Sequence, residues 1–382
     1  MLTRRSLFGK AALAGAFALS PRLALAAAPG DARFVFIILR GAMDGLSVVM
    51  PVGDSAYAAQ RGSLQTPPGE TSVQLDAMFA LHPALPATAA LFAAGEALFV
   101  HAVASPYRER SHFDAQNVLE TGGTAAYALK DGWLNRLVGA IPGQRDAAIA
   151  LAATVPMALR GAAPVSSFAP SVLPQAGDDL LQRVAALYAD DALLHPLWSE
   201  AIDARLLAGD DATGRAGPAA LGKLAATFLA KPTGPRIAVI ELIGWDTHAQ
   251  QAGRLATQLK QLDATIAALR DGLGTAWRQT AVLAATEFGR TVAVNGTGGT
   301  DHGTGSAAIL AGGAVAGGRV VADWPGLHPG ALHEGRDLRP TTDLRAVMLS
   351  VAAAQFGIEP ARLSPALFPG GRVTAIDGLI RV

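Results

Sequence analysis

Arg33-Phe34-Val35-Phe36-Ile37-Ile38-Leu39 runs without a break into Arg40-Gly41-Ala42-Met43-Asp44-Gly45. An unbroken apolar stretch of aromatic and β-branched residues, ended by a glycine-flanked turn, predicts a strand buried on both faces. Five more runs share this character: Ala97–Val103, Ala147–Ala152, Arg236–Leu242, Thr280–Ala285 and Ser306–Ala311. Between them lie segments with helical spacing: His82–Ala94, Ser111–Glu120, Gly132–Ala140, Leu180–Ala189, Ala219–Leu229, Ala249–Leu269 and Thr341–Phe356. Strands alternating with helices predict an α/β fold, a three-layer α/β/α arrangement with a mostly parallel central sheet. Glycine and proline clusters at 53–69, 162–177 and 207–217 read as surface loops, and none divides sections of different composition. The expectation is one domain over 29–382, with 154–234 as a helical and loop-rich cap insertion.

The chain begins with Thr3-Arg4-Arg5-Ser6-Leu7-Phe8-Gly9-Lys10, then an apolar stretch from Ala11 to Leu19, then Leu23-Ala24-Leu25-Ala26-Ala27-Ala28. Paired arginines, a short apolar core and a small-residue cleavage pattern read as a twin-arginine signal peptide over 1–28. Pro21 and Arg22 stop the apolar run well short of the roughly 20 residues that a membrane span needs. These features predict a periplasmic protein with no stable transmembrane span, whose partner during export is the twin-arginine translocase.

Removing Arg4, Arg5, Lys10 and Arg22 from the 31 basic side chains leaves 27 against 31 acidic ones. That mildly acidic balance gives no electrostatic reason to expect nucleic acid or anionic lipid as partner. With no cysteine in the chain, disulfides, thiolate metal sites and thiol chemistry are all excluded. A hydrophobic content of 51% against 16% charged residues points to a large covered core.

In a parallel sheet, functional loops gather at the C-terminal ends of the strands. Asp44 follows the first strand, although taken alone it reads as an ordinary Asp-Gly turn. The second strand leads through Arg108-Glu109-Arg110 to Ser111-His112-Phe113-Asp114. Ser111 and Asp114 fit a capping box. The same geometry would place a serine nucleophile where backbone N–H groups favour an anion, with Arg108 and Arg110 available for a phosphate or sulfate. Asp246 and His248, two apart at a strand end, share a face if the chain stays extended. Glu287-Phe288-Gly289-Arg290 follows the next strand, and Asp301-His302-Gly303 precedes the last. Asp44, Asp246, His248, Glu287 and His302 form a mixed oxygen and nitrogen set that suits a divalent ion such as zinc, manganese or magnesium. His82, His101, His195, His328 and His333 lack this context and receive no catalytic role.

These motifs resemble the exported proteins grouped as domain of unknown function 1501 (DUF1501), and the resemblance spans nearly the whole chain. Its carriers are Arg-Gly-Ala-Met-Asp-Gly from Arg40, Arg-Ser-His-Phe-Asp-Ala-Gln from Arg110, Gly-Trp-Asp-Thr-His from Gly244, Thr-Glu-Phe-Gly-Arg-Thr from Thr286 and Asp-His-Gly from Asp301. That family is similar to the alkaline phosphatase and sulfatase superfamily. The resemblance implies one or two divalent ions above the sheet, calcium being a further option as in sulfatases. It implies Ser111 as nucleophile and Thr121-Gly122 as the end of its helix. Asp246, His248 and His302 would hold one metal; Asp44 and Glu287, with Ser111 as a further ligand, would serve the other. Arg108, Arg110 or Arg290 would hold the non-bridging oxygens. Where phosphatases have Asp-His, this chain has Glu287-Phe288, so one imidazole ligand is missing, and the spacing from Asp246 to His248 is shorter than theirs.

The expectation is a metal-dependent hydrolase of phosphate, phosphodiester or sulfate esters, its substrate a small-molecule or glycan ester. The alternative is a non-catalytic envelope binding protein on a degenerate scaffold of the same kind. No Gly-x-Gly-x-x-Gly follows the first strand, which argues against a nucleotide-binding oxidoreductase, and Gly296-Thr297-Gly298-Gly299 reads as a loop beside the site.

Overall fold

The structure is a computed structural model that describes residues 31–65, 71–141, 148–170, 178–192, 194–208 and 217–381. The signal peptide expected over 1–28 lies outside the described residues, as do parts of the three expected loops. In chain order the elements begin with β1 (Arg33–Arg40), α1 (Gly45–Val48), β2 (Val49–Met50), α2 (Tyr57–Arg61), β3 (Val73–Gln74), β4 (Ala80–Leu81), α3 (Pro86–Ala93) and β5 (Ala97–Ala104). They continue through α4 (His112–Thr121), α5 (Trp133–Ala140), β6 (Ala148–Ala150), β7 (Ser166–Ser167), α6 (Asp178–Tyr188), α7 (Leu194–Ala208) and α8 (Pro218–Leu229). The last are β8 (Ile237–Ile243), α9 (Gln251–Leu273), β9 (Thr280–Thr286), β10 (Ser306–Ala311), β11 (Arg319–Val321), β12 (Thr342–Asp343), α10 (Leu344–Phe356) and α11 (Pro360–Leu367).

The main sheet runs β11-β5-β10-β9-β1-β8-β6-β7, with β12 also on β5, and β2-β4-β3 form a separate small antiparallel sheet. In the main sheet, among the described residues, β10 alone runs against its neighbours. The stretch that opens β1 therefore sits at the centre, parallel to β8 on one side and β9 on the other. Its alternate residues feed two cores. Phe34, Phe36 and Ile38 pack with α5, α10 and α11, where the buried Trp133 ring lies edge-on to Phe36 at 5.4 Å. Val35, Ile37 and Leu39 face α8 and α9, whose inward stripe is Leu255, Leu259, Leu262, Ile266, Leu269 and Leu273. Helices thus cover both faces, which makes the expected three-layer α/β/α fold.

The expected strands and helices all appear, with ends moved by a few residues. Not foreseen were α7, α11, the small sheet and the short elements α1, α2, β7, β11 and β12. Within 154–234, β7 extends the main sheet from β6 and α8 packs in the α9 layer, while α6 packs on α7 and α7 on α8. Among the described residues no helix is long and apolar enough to cross a membrane.

The topology brings distant polar residues to one edge. The C-terminal ends of β1, β5, β8 and β9 share it, and because β10 is reversed, the residues before Ser306 arrive there too. A β-bulge at Ala102 (φ 51°) bends β5 just before it reaches this edge. Next to the bulge, His101 is fully buried between Phe79 and Trp324, its Nε2 bonded to the Val49 carbonyl at 2.8 Å. Burial drives its pKa down to about 4, against the pull of that hydrogen bond. The folded state therefore holds fewer protons at this ring than the unfolded chain, whose value is near 6.5. The stabilisation is complete above about pH 6.5 and is lost as pH falls through 4, a change on the order of 3 kcal/mol. Denaturant titrations from pH 7 to pH 4 should show this loss, and His101→Leu should flatten that part of the curve.

Candidate metal centre

Asp246 leaves β8 over the sheet edge and is half-exposed, with charge partners on several sides. Arg290 donates to its Oδ1 at 2.7 Å, and the Nε2 atoms of His248 and His302 lie 3.0 and 3.4 Å from the same oxygen. His112 Nε2 stands 3.6 Å from Oδ2. One nitrogen or oxygen atom from each of His112, Asp246 and His302 falls within 4.8 Å of the others. His248 and His302 bring their Nε2 atoms to 3.0 Å from each other.

The other ring nitrogens explain why these atoms converge. His302 Nδ1 lies 3.0 Å from the Arg110 carbonyl, which can only accept, so Nδ1 carries the proton and Nε2 presents its lone pair. His112 Nδ1 donates to Glu287 Oε1 at 2.8 Å, and His248 Nδ1 lies 3.4 Å from Asp301 Oδ1. An imidazole with Nδ1 tied to an oxygen and Nε2 free is the usual form of a metal-bound histidine. Tetrahedral coordination with bonds near 2.0 Å would put neighbouring ligand atoms roughly 3.3 Å apart, in line with the spacing found here. His112 Nε2 is buried and has no hydrogen-bond partner among the described residues. A cation at this point would satisfy it, and the donor set therefore fits a divalent ion.

Protonation equilibria differ between the two inner histidines, and at His112 an ion would have to displace a proton that Glu287 favours. The hydrogen bond to Glu287 raises the His112 pKa, against burial. Burial, followed by the nearby charge of His112, lowers that of His302. For Asp246 burial works upward, but Arg290 and the histidines win and hold the carboxyl below its ordinary range.

Several expected residues have other partners. Glu287 is fully buried one layer behind the cluster. Its Oε1 accepts from Gly41 N at 2.9 Å, His112 and Gln116, and its Oε2 accepts from Thr286 at 2.8 Å. With both oxygens engaged, it orients His112 rather than reaching an ion. Burial alone would raise its pKa, but these donors hold it low. Asp44 is also separate from the cluster, since Arg61, Ser47 and Gln251 bind its carboxylate and the Arg61 guanidinium fills the place of a cation. The three arginines expected at substrate oxygens are likewise engaged. Arg108 bonds the carbonyls of Ser105 and Tyr107, Arg110 grips Asp337 and Glu334, and buried Arg290 holds Asp246 and Thr300.

Ser111 does begin α4, and the helix ends at Thr121 with Gly122 in the left-handed region. The capping box does not form, because the Ser111 side chain makes no cap bond and Asp114 accepts from Tyr107 at 3.3 Å instead. Sequence reading missed His112, Gln251 and Arg61. His112 lay inside the quoted motif, one residue past the serine, whereas Gln251 and Arg61 carry no local signal. Phe288, the residue in place of an imidazole, stacks on His112 at 5.0 Å and flanks His302 at 5.1 Å. Two glycines allow the strand exits to meet. A Cβ on Gly41 (φ +121°) would lie 2.5 Å from Asp246 N, and one on Gly299 would lie 2.3 Å from the His248 carbonyl.

A family model described as "Protein of unknown function (DUF1501)" matches residues 31–367. No curated protein matches the chain. Among solved structures, the C-terminal periplasmic domain of EcEptC from Escherichia coli, in complex with Zn, aligns with a TM-score of 0.44 at 11% identity, over 91% of this chain and 90% of that one. Ps i-CgsB in complex with k-i-k-neocarrahexaose gives 0.43 at 11% identity over 86% and 72%. The phosphonate monoester hydrolase of Agrobacterium radiobacter gives 0.34 at 14% identity over 90% and 79%.

The pairing of Asp44 with Arg61 has a measurable consequence. Arg61→Met should destabilise the protein by about 3–5 kcal/mol, because it leaves a buried carboxylate uncompensated. Adding Asp44→Asn should recover much of that loss in a chemical denaturation double-mutant cycle, whereas additive losses would show that the two residues are uncoupled.

Proposed function

The chain belongs to the DUF1501 family, and we propose that it is an exported, metal-dependent hydrolase of phosphate or related esters. One observation carries the reading: three imidazoles, each with Nδ1 on an oxygen, turn their Nε2 atoms toward one carboxylate. His112, Asp246 and His302 would hold a single ion, with His248 the fourth donor from the exposed side. Three nitrogens and a carboxylate suit zinc better than the harder magnesium or calcium. The engagement of Asp44 by Arg61 and of Glu287 by His112 favours one ion over two.

When bound, such an ion supplies Lewis acidity at the ester oxygens. Ser111, at the start of α4, is the proposed nucleophile. Its side chain pairs with the Tyr107 hydroxyl, which also takes the Ser111 N–H at 3.3 Å and donates to Asp114. Tyr107 thus fixes the orientation of Ser111 and passes its proton toward a carboxylate. Arg290 acts through Asp246, and the Arg110 carbonyl acts through His302. The signal motif at Arg4-Arg5 supports export by the twin-arginine route, and hence a periplasmic location.

The engagement of Arg108, Arg110 and Arg290 favours a second reading, a metal-bearing envelope protein that binds an anionic partner without turnover.

Elemental analysis of the protein purified after native export should find about one zinc per chain, falling sharply in His112→Ala and His302→Ala. Glu287→Gln should weaken metal affinity about 10- to 100-fold by freeing the His112 ring. A protein with no stoichiometric metal would sink the proposal. On chromogenic phosphate monoesters, diesters and sulfates, Ser111→Ala should lower kcat by about a thousandfold or more. Unchanged turnover in that variant rules out the serine, and tight metal with no turnover on any ester establishes the binding reading.

A further inference from the structure

Arg110, the residue before Ser111, has φ 60°, a left-handed conformation that costs a side chain bearing a Cβ free energy. In that conformation its carbonyl accepts from His302 Nδ1 at 3.0 Å. Such strain persists only where the surroundings over-determine it. The turn from His333 to Asp337 supplies those surroundings. His333 and Asp337 exchange both backbone hydrogen bonds, at 2.9 and 3.1 Å, and Glu334 (φ 52°) and Gly335 (φ 70°) lie within the loop between them. Val292 N bonds the Arg336 carbonyl at 3.0 Å, which ties the turn to the segment after β9.

Three side chains of this turn reach the hydrogen bond between Arg110 and His302 from its two ends. On the acceptor's side, Asp337 Oδ2 takes Arg110 Nε at 2.9 Å and Nη2 at 2.7 Å, and Glu334 takes Nη2 as well. On the donor's side, Arg336 Nη2 donates to the His302 carbonyl, and Arg336 Nε stands 3.0 Å from Asp337 Oδ1. Asp337 thus lies between two guanidiniums and is fully buried. Charge-assisted contacts on both of its oxygens hold it firmly in place.

We propose that the turn from His333 to Asp337 is a clamp that positions His302 as a metal ligand, with Asp337 as its central positioning residue. Asp337 acts through the Arg110 side chain and, by way of Arg336, through the backbone of His302. Its grip keeps Arg110 in a conformation that the residue would otherwise leave. The carbonyl therefore stays on Nδ1, and the lone pair of Nε2 stays toward Asp246. A residue that only stabilised its own loop would have no need to hold both partners of one hydrogen bond. The inference rests on the proposed reading of the cluster as a metal centre, but the ring's tautomer is read without metal.

Zinc affinity of the full exported protein, measured by competition with a chelator, tests the clamp. Asp337→Asn should weaken zinc binding about tenfold or more. Arg110→Gly added to it should bring affinity back to within about threefold of wild type, because glycine adopts φ 60° at no steric cost and no longer needs the grip. A glycine at 110 would not rescue a residue whose role is merely structural. Arg336→Met removes the second hold at a side chain that is 43% exposed, so it carries the test if Asp337→Asn does not fold. A loss of about threefold or more is expected there. Unchanged affinity in either single variant, or a loss in Asp337→Asn that glycine does not recover, overturns the clamp. Nitrogen NMR of the metal-free protein, labelled at histidine, should find His302 protonated at Nδ1 in wild type and a mixture of tautomers in Asp337→Asn and Arg336→Met. If wild type binds no zinc, the metal reading falls and the tautomer decides alone. A ring unchanged by both substitutions then overturns the clamp, and a mixture upholds the turn as the device that sets the His302 ring.

Discussion

A carboxylate removed from water must find compensating charge and hydrogen bonds, and two such groups sit beneath the strand ends. Asp44 and Glu287 are both fully enclosed. Each left ionised and unpaired would cost several kcal/mol. Arg61 answers the first and His112, with three further donors, answers the second. These answers fix the site, because a buried Glu287 that must be hydrogen-bonded aims the His112 ring, and the aimed ring delivers Nε2 to the cluster. A chain of contacts ties the two solutions together: Asp44 to Gln251, Gln251 to Thr300, Thr300 to Arg290, and Arg290 to Asp246. The cluster thus rests on a buried polar network that has little freedom to relax.

The fold was legible because it depends on local pattern. The run Phe34–Leu39 has no polar residue at any register, so it had to be covered on both faces, and the central place of β1 follows. The boundary of β10 is reproduced without change, since Gly305 ends the loop and six small or apolar residues follow. The region 154–234 was less legible. Short elements such as Ser166–Ser167 join the sheet through backbone bonds alone, and no side-chain pattern announces them.

The site was legible as to place but not as to partners. Asp246, His248 and His302 come together as expected because each lies at a strand end and because a reversed β10 still brings its N-terminus to the same edge. Asp44 shared that position, yet its fate was set by Arg61, a residue in a short helix with no motif of its own. Neutralisation by a distant arginine leaves no trace in the local sequence. For the same reason Arg108, Arg110 and Arg290 looked available when each already had an acceptor. Availability is a property of the folded surface, and charge in a sequence does not report it.

Phe288 shows the same dependence on folded partners from the other side. An aromatic where an imidazole was expected looks like a lost ligand. In the folded chain, however, its ring lies against both His112 and His302, and together with Ala42, Tyr107, Ala115 and Val118 it forms an apolar wall. Such a wall lowers the local dielectric, so it strengthens the hydrogen bond from His112 to Glu287 and keeps water from competing for it. His112, arriving from α4, contributes an imidazole that β9 does not. A site built in this way depends less on any single strand end than on the docking of α4 against β9. Hence the helix that carries the proposed nucleophile also carries a proposed ligand, and one rigid element sets their relative positions.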